Sequence, residues 1–144
     1  MYSALTIAKY IILWCNDHGF SVSNLKLQKI LYFVQAEFLV SRGGPCFYEN
    51  IEAWDFGPVI PEVYHEYKIY GGASIPVFKY LERPMILPGN DRELIDGIVN
   101  ECVNFSASSL VEITHNQSPW QDVYRRGCNN VISNASIREY FLEG

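Results

Sequence analysis

Apolar side chains recur at intervals of three and four from residue 3 to residue 42, and they predict two helices in succession. Leu5, Ala8, Ile12 and Cys15 share one face, Ile11 widens it, and Ser3 stands where an N-cap belongs. Gly19 supplies a left-handed stop, after which Phe20 can fold back onto the last turn. The stronger helix starts at Ser23, in SNLKLQKILYFVQAEFLVSRGG. Leu27, Ile30, Leu31, Val34 and Phe38 form its broad stripe, with Lys26, Lys29, Gln35 and Glu37 mostly elsewhere. Gly43-Gly44-Pro45 ends it. Because Tyr32, Phe33 and Leu39 lie outside the stripe, this helix is expected to be covered on more than one side, as the central helix.

Between Ile51 and Phe56 the rhythm shortens to that of an extended segment, with Ile51 and Ala53 facing one way and Trp54 and Phe56 the other. Gly57-Pro58 is expected to break that strand. Pro61 suits the first turn of a helix, and Ile60, Val63, Tyr64, Tyr67 and Tyr70 form its face as far as Gly71-Gly72. Ser74 to Gly89 is irregular, yet Ile75, Val77, Phe78, Leu81, Met85, Ile86 and Leu87 make it too apolar for a free linker. It is expected to lie against the domain, with room for a short strand. Asn90 or Asp91 would cap a helix striped by Leu94, Ile95, Ile98, Val99 and Cys102, in which Gly97 marks close helix packing. Ser109-x-x-Glu112 has capping-box spacing. Ser118 as cap, Pro119 at the first position and Gln121 three residues after the cap open a helix that stops at Gly127. A last helix, Ser136 to Leu142, docks through Ile137, Tyr140 and Phe141. The fold class that follows is mainly α: a compact single-domain helical fold over residues 1–144, with one short β-strand or hairpin.

Composition narrows the function. With 144 residues, 49% hydrophobic and 19% charged, the chain is globular and can bury one core. A formal net charge of -5 with eleven scattered Lys and Arg argues against nucleic-acid binding, since phosphate neutralisation needs clustered cations. No run reaches bilayer-spanning length and no secretory leader is visible, so a cytoplasmic protein without a membrane partner is expected. Cysteines 15, 46, 102 and 128 make no CxxC pair and no zinc spacing, which points to reduced, mostly buried thiols.

LKLQKILYFVQAEFL, then IEAWDFGPVIPEVYHEYKIYG, then ITHNQSPWQ arrive in an order and spacing that resemble the Panacea domain family, also described as SocA-like antitoxin or phage-associated proteins. The similarity covers nearly the whole chain. It implies a mainly helical domain from bacteria or their phages that neutralises a toxin encoded beside it. Some members are described as adaptors that deliver a toxin to a protease. The partners implied are therefore a cognate protein toxin and, in an adaptor variant, a cellular protease. No cofactor, metal or catalytic residue is implied.

The density of aromatic residues in Ile51–Gly71 is the main candidate for binding, because Trp and Tyr bury large rigid areas at low entropic cost. The expected partner-binding residues are Lys26, Lys29, Trp54, Asp55, Phe56, Pro58, His65 and Glu66. Gln28, Gly57, Tyr64, Tyr67, Gly71, His115, Pro119 and Trp120 belong to the family motifs and are read as structural. Tyr64 and Tyr67 are expected to pack on the Leu25–Leu39 helix. His115 is read as fixing a loop carbonyl before the next helix. Two other readings stand beside the antitoxin: an enzyme that reverses or prevents toxin damage through His115 with a nearby Cys or carboxylate, and an autoregulatory DNA-binding protein. Neither has a local signature. Insertion 74–89 is a further candidate for partner-specific contacts.

Overall fold

The computed structural model describes residues 1–78 and 87–143. Helix α1 (Ala4–Asp17) begins where Ser3 accepts a bond from the Thr6 amide and ends before Gly19, whose φ is +78°. Phe20 folds back as its amide bonds the Cys15 carbonyl and its ring stacks on Trp14. Helix α2 (Asn24–Arg42) is capped by the Ser23 hydroxyl and stopped by Gly43 in the left-handed conformation. Both helices fall where the sequence puts them, because capping needs partners only a few residues away.

α2 is the central helix. It packs against α1, the short helix α3 (Pro61–Tyr67), α4 (Gly89–Cys102), α5 (Ala107–His115) and α7 (Asn134–Glu143), and against strand β2 (Gly57–Val59). Such complete enclosure buries its polar residues too: Asn24, Gln28, Lys29 and Gln35 lie inside with Leu27, Ile30 and Leu31. Each takes a buried partner. Gln35 alone makes three bonds to the connection after α2, accepting the amides of Cys46 and Phe47 and donating to the Phe47 carbonyl.

Gly57-Pro58 does not end the extended segment. It forms the return strand β2 of a hairpin with β1 (Ile51–Trp54), so that Trp54 pairs with Gly57 and Ala53 with Pro58. A proline fits because β2 lies at the edge of a three-stranded antiparallel sheet ordered β2-β1-β3. β3 (Val131–Ile132) pairs with Ile51 and Glu52 from about eighty residues away, and nothing in the local pattern announces it.

Several local expectations give way to other partners. α4 is preceded by Pro88 without a side-chain cap. Asp91 instead accepts from the Tyr2 hydroxyl and pairs with Arg42, and these partners, Tyr2 first, hold its carboxyl below the usual range. Gly97 is exposed with open space around its Cα, so it marks no close packing. α5 is capped by Ser106, which accepts the Ser109 amide, and not by Ser109. Gln117, not Ser118, precedes helix α6 (Ser118–Gln121), which closes well before Gly127. Ile75 and Leu87 are buried in the core, as expected of the 74–89 stretch. Residues 79–86, with Leu81, Met85 and Ile86 and the expected short strand, lie outside the described residues.

Candidate functional site

Of the stretch Ile51–Gly71, the hairpin turn Asp55-Phe56 is the part held by contacts from two sides of the molecule. From the α5–α6 side three contacts reach it. His115 Nε2 donates to the Asp55 carbonyl at 2.9 Å, Trp120 Nε1 donates to the Trp54 carbonyl at 2.9 Å, and the Tyr124 hydroxyl donates to the Asp55 carboxylate. A carbonyl can only accept, so Nε2 carries the His115 proton in this pairing. The three rings stack, His115 on Trp120 at 4.1 Å and Trp120 on Tyr124 at 4.4 Å. Gln121 closes the set by donating to the His115 carbonyl. His115 does bond a loop carbonyl, but one in the β-hairpin sixty residues earlier and not in the turn before the next helix.

From the α2 side the turn is held by buried polar side chains. Lys29 is wholly enclosed, and its Nζ donates to the Pro58 carbonyl at 3.0 Å. Gln28 accepts the Ile60 amide at 2.8 Å and donates to Asn24, which donates to the Tyr64 carbonyl. Between Lys29 and Thr114 the backbone of Gly57 passes so closely that a Cβ there would sit 2.6 Å from Lys29 Cε and 2.8 Å from Thr114 Oγ1. With φ +104°, Gly57 also occupies backbone space that side chains disfavour.

Lys29 corrects an expectation. It is no surface cation for a partner but an interior clamp, and Pro58 is likewise buried in β2. Lys26 is half-buried and spends its ammonium on the Val103 carbonyl. Trp54 is half-buried, its indole donating to Glu52 and its ring meeting Tyr64 edge-on at 5.0 Å. Tyr67 is buried and Tyr64 half-buried against α2's first turn, whereas Asp55, Phe56, His65 and Glu66 face solvent. Phe56 stands out, with 65% of its surface exposed. Sequence reading assigned no site role to Thr114, Gln117, Gln121 or Tyr124, taking Gln121 only as a capping residue. The first three sit inside the ITHNQSPWQ motif; Tyr124 follows one helical turn after Trp120, which is the signal that could have found it.

Beside the turn lies an open cleft of about 420 Å³. Trp54, Phe56 and Tyr64 supply aromatic walls, Leu25 and Val59 apolar floor, and the amides of Asn24 and Gln28 its buried polar points.

Burial of Lys29 with no carboxylate bonded to it pushes the ammonium down to about 7. Between that value and the ordinary 10.5, the unfolded chain binds a proton that the folded chain does not, so stability rises with pH across this interval. Burial pushes the Cys15, Cys46 and Cys102 thiols up to about 11, 12 and 12, and this acts in the opposite sense once pH passes the ordinary thiol value near 9. Urea titrations at pH 7, 8 and 9 should therefore show stability increasing by up to about 1.4 kcal/mol per unit. Lys29→Met, which keeps the bulk without the charge, should abolish that increase; an equal slope in the variant would locate its origin elsewhere.

A family model described as "Antitoxin SocA-like, Panacea domain" matches residues 27–121, from α2 through α6. The chain belongs to this family. The match begins two residues before Lys29 and ends at Gln121, so it includes Gln28, Lys29, His115 and Trp120 but not Asn24 or Tyr124. The chain is also 35% identical over 117 residues to the curated protein Antitoxin SocA of Caulobacter vibrioides (strain NA1000 / CB15N), an alignment covering 74% of this chain and 61% of that one. The Panacea chain thus spans under two thirds of the length of this relative. No solved structure matches it. Among its described residues no helix is long and apolar enough to cross a membrane.

Proposed function

We propose that this Panacea protein is an antitoxin that neutralises a cognate toxin by direct contact, with the Asp55-Phe56 turn at the centre of the contact. One observation carries the reading: a large aromatic side chain, 65% exposed, stands on a turn pinned through Trp54 and Asp55 from α5–α6 and through Pro58 from α2. Displaying Phe56 costs solvation, and fixing its backbone beforehand removes the ordering cost of binding, which is the economy of an interface hot spot. Neutralisation then follows by occlusion of the toxin's working surface. Delivery to a protease would require the same first contact.

The same geometry disfavours the enzyme alternative. His115 has its Nε2 on a backbone carbonyl and its ring against Trp120, and the Asp55 carboxylate accepts from Tyr124. Buried thiols at Cys15, Cys46 and Cys102 are pushed away from the thiolate form.

The test is co-purification with the product of the adjacent open reading frame, together with growth rescue. Wild type should bind that product and relieve its growth arrest. Phe56→Ala should fold normally, since the ring is mostly in solvent, and should weaken binding about thirtyfold or more. Unchanged affinity in that variant would move the interface off the turn.

A further inference from the structure

The cleft beside Phe56 is less acidic than the chain as a whole, with one base set against one acid. The net charge is -5, yet of the two charged side chains lining the cleft, Asp55 and Lys68, the acid is already engaged by Tyr124. Lys68 is exposed and forms neither a salt bridge nor a side-chain hydrogen bond among the described residues. Tyr64 and Lys68, one helical turn apart, both line the cleft; Glu62 and Glu66 of the same segment do not. At the floor, the buried Asn24 and Gln28 each use one amide N–H, to the Tyr64 carbonyl and to Asn24 Oδ1, so each retains a second. An unpaired cation therefore stands at the rim of a cavity whose lining includes Leu25, Trp54, Phe56, Val59 and Tyr64.

We infer that this cleft receives a short segment of the toxin that carries a large apolar side chain next to a carboxylate. The inference rests on the antitoxin reading and specifies what that site recognises. The apolar side chain fills the space between Trp54, Tyr64 and Leu25, at a volume within the range of sites that enclose small ligands. The carboxylate meets Lys68 at the rim, where an exposed pair contributes register and discrimination more than raw affinity. A peptide segment fits better than a nucleotide. The cleft has one free cation among its lining residues, and its exposed rim of Phe56, Lys68 and Gly71 lets a chain run through.

Overlapping 15-residue peptides covering the adjacent gene product supply the probe, with the intact product as competitor. The expected result is a peptide with a large apolar residue beside Asp or Glu that binds wild type and is displaced by the intact product. Lys68→Glu, a surface change that leaves the fold intact, should weaken both ligands about tenfold, and a Lys in place of the ligand's acid should restore affinity to that variant. Leu25→Trp, checked for an unchanged melting temperature, fills the cleft and should weaken binding about thirtyfold. If the intact product binds wild type and both variants equally, the cleft assignment is overturned while the antitoxin reading stands. Selection of basic peptides, or displacement by nucleotides in place of peptides, overturns the assigned chemistry. If the intact product does not bind wild type at all, the antitoxin reading itself fails.

Discussion

Gly57→Ala should be among the most damaging single-methyl additions this protein can receive, lowering its melting temperature by about 10 °C or more at roughly 2–4 °C per kcal/mol for a domain of this size. Two costs combine. At φ +104° a side chain strains the backbone by about 1–3 kcal/mol. The added Cβ also meets Lys29 Cε at 2.6 Å and Thr114 Oγ1 at 2.8 Å, an overpacking cost of about 1–3 kcal/mol. A lysine chain end would ordinarily swing aside, but Lys29 is fully enclosed and its Nζ is bonded to Pro58. Relief would have to come from moving the hairpin, so the variant should also bind its partner more weakly than its loss of stability explains. Thermal melts followed by circular dichroism read the first effect. Measured against Lys29→Ala alone, Gly57→Ala should cost less than it does in wild type, by the part of the clash due to Lys29, with the Thr114 contact and the backbone strain remaining. A melting temperature within about 2 °C of wild type in Gly57→Ala would refute the clamp.

Gln35→Leu is expected to cost about 3–6 kcal/mol, because it strands three buried backbone groups at about 1–3 kcal/mol each and recovers little packing. The groups are the amides of Cys46 and Phe47 and the Phe47 carbonyl, all now served by one side chain. That connection also holds the N-terminus, since the Tyr2 amide donates to the Cys46 carbonyl and the Tyr48 amide to the Tyr2 carbonyl. Urea unfolding should show a lower midpoint, with the segment 44–48 losing hydrogen-exchange protection first. Lys29→Met removes one hydrogen bond and one buried charge, and should be milder or even neutral near pH 7. Equal stability of Gln35→Leu and wild type would mean that water replaces the amide freely.

Both predictions turn on polar residues of α2, Lys29 and Gln35, a helix whose apolar stripe was plain from sequence. Periodicity identified Leu27, Ile30, Leu31, Val34 and Phe38 correctly, and the apolar residues off that stripe identified α2 as enclosed on several sides. It also placed Lys29 and Gln35 off the stripe, where a polar residue is ordinarily solvated. What makes them interior is a supply of backbone acceptors and donors from residues 11 to 29 positions away in the chain. No helical period encodes those.

The site divides in the same way. That His115 bonds a loop carbonyl was read from its place in a motif with a turn and a cap in one short run, whereas Trp120 was read only as structural. Their targets were not legible, since Trp54 and Asp55 lie some sixty residues earlier. Phe56, read from sequence as a partner-binding residue, stands exposed on the hairpin turn. Gly57-Pro58 looked like a terminator because both residues commonly end strands; at a sheet edge, with Gly57 squeezed between Lys29 and Thr114, they form a strand instead.

Capping and spacing along the chain settle where α1 and α2 begin and end and which helix becomes the centre, because those choices are made by neighbours within a turn or two. Whether a cation such as Lys29 faces solvent or a carbonyl, which serine caps α5, and that Val131 and Ile132 complete a sheet with β1 depend on chain segments brought together only by folding. Burial decides them: once α2 is enclosed, every polar atom on it must find a partner inside, and the hairpin turn that displays Phe56 is held in place by those partners.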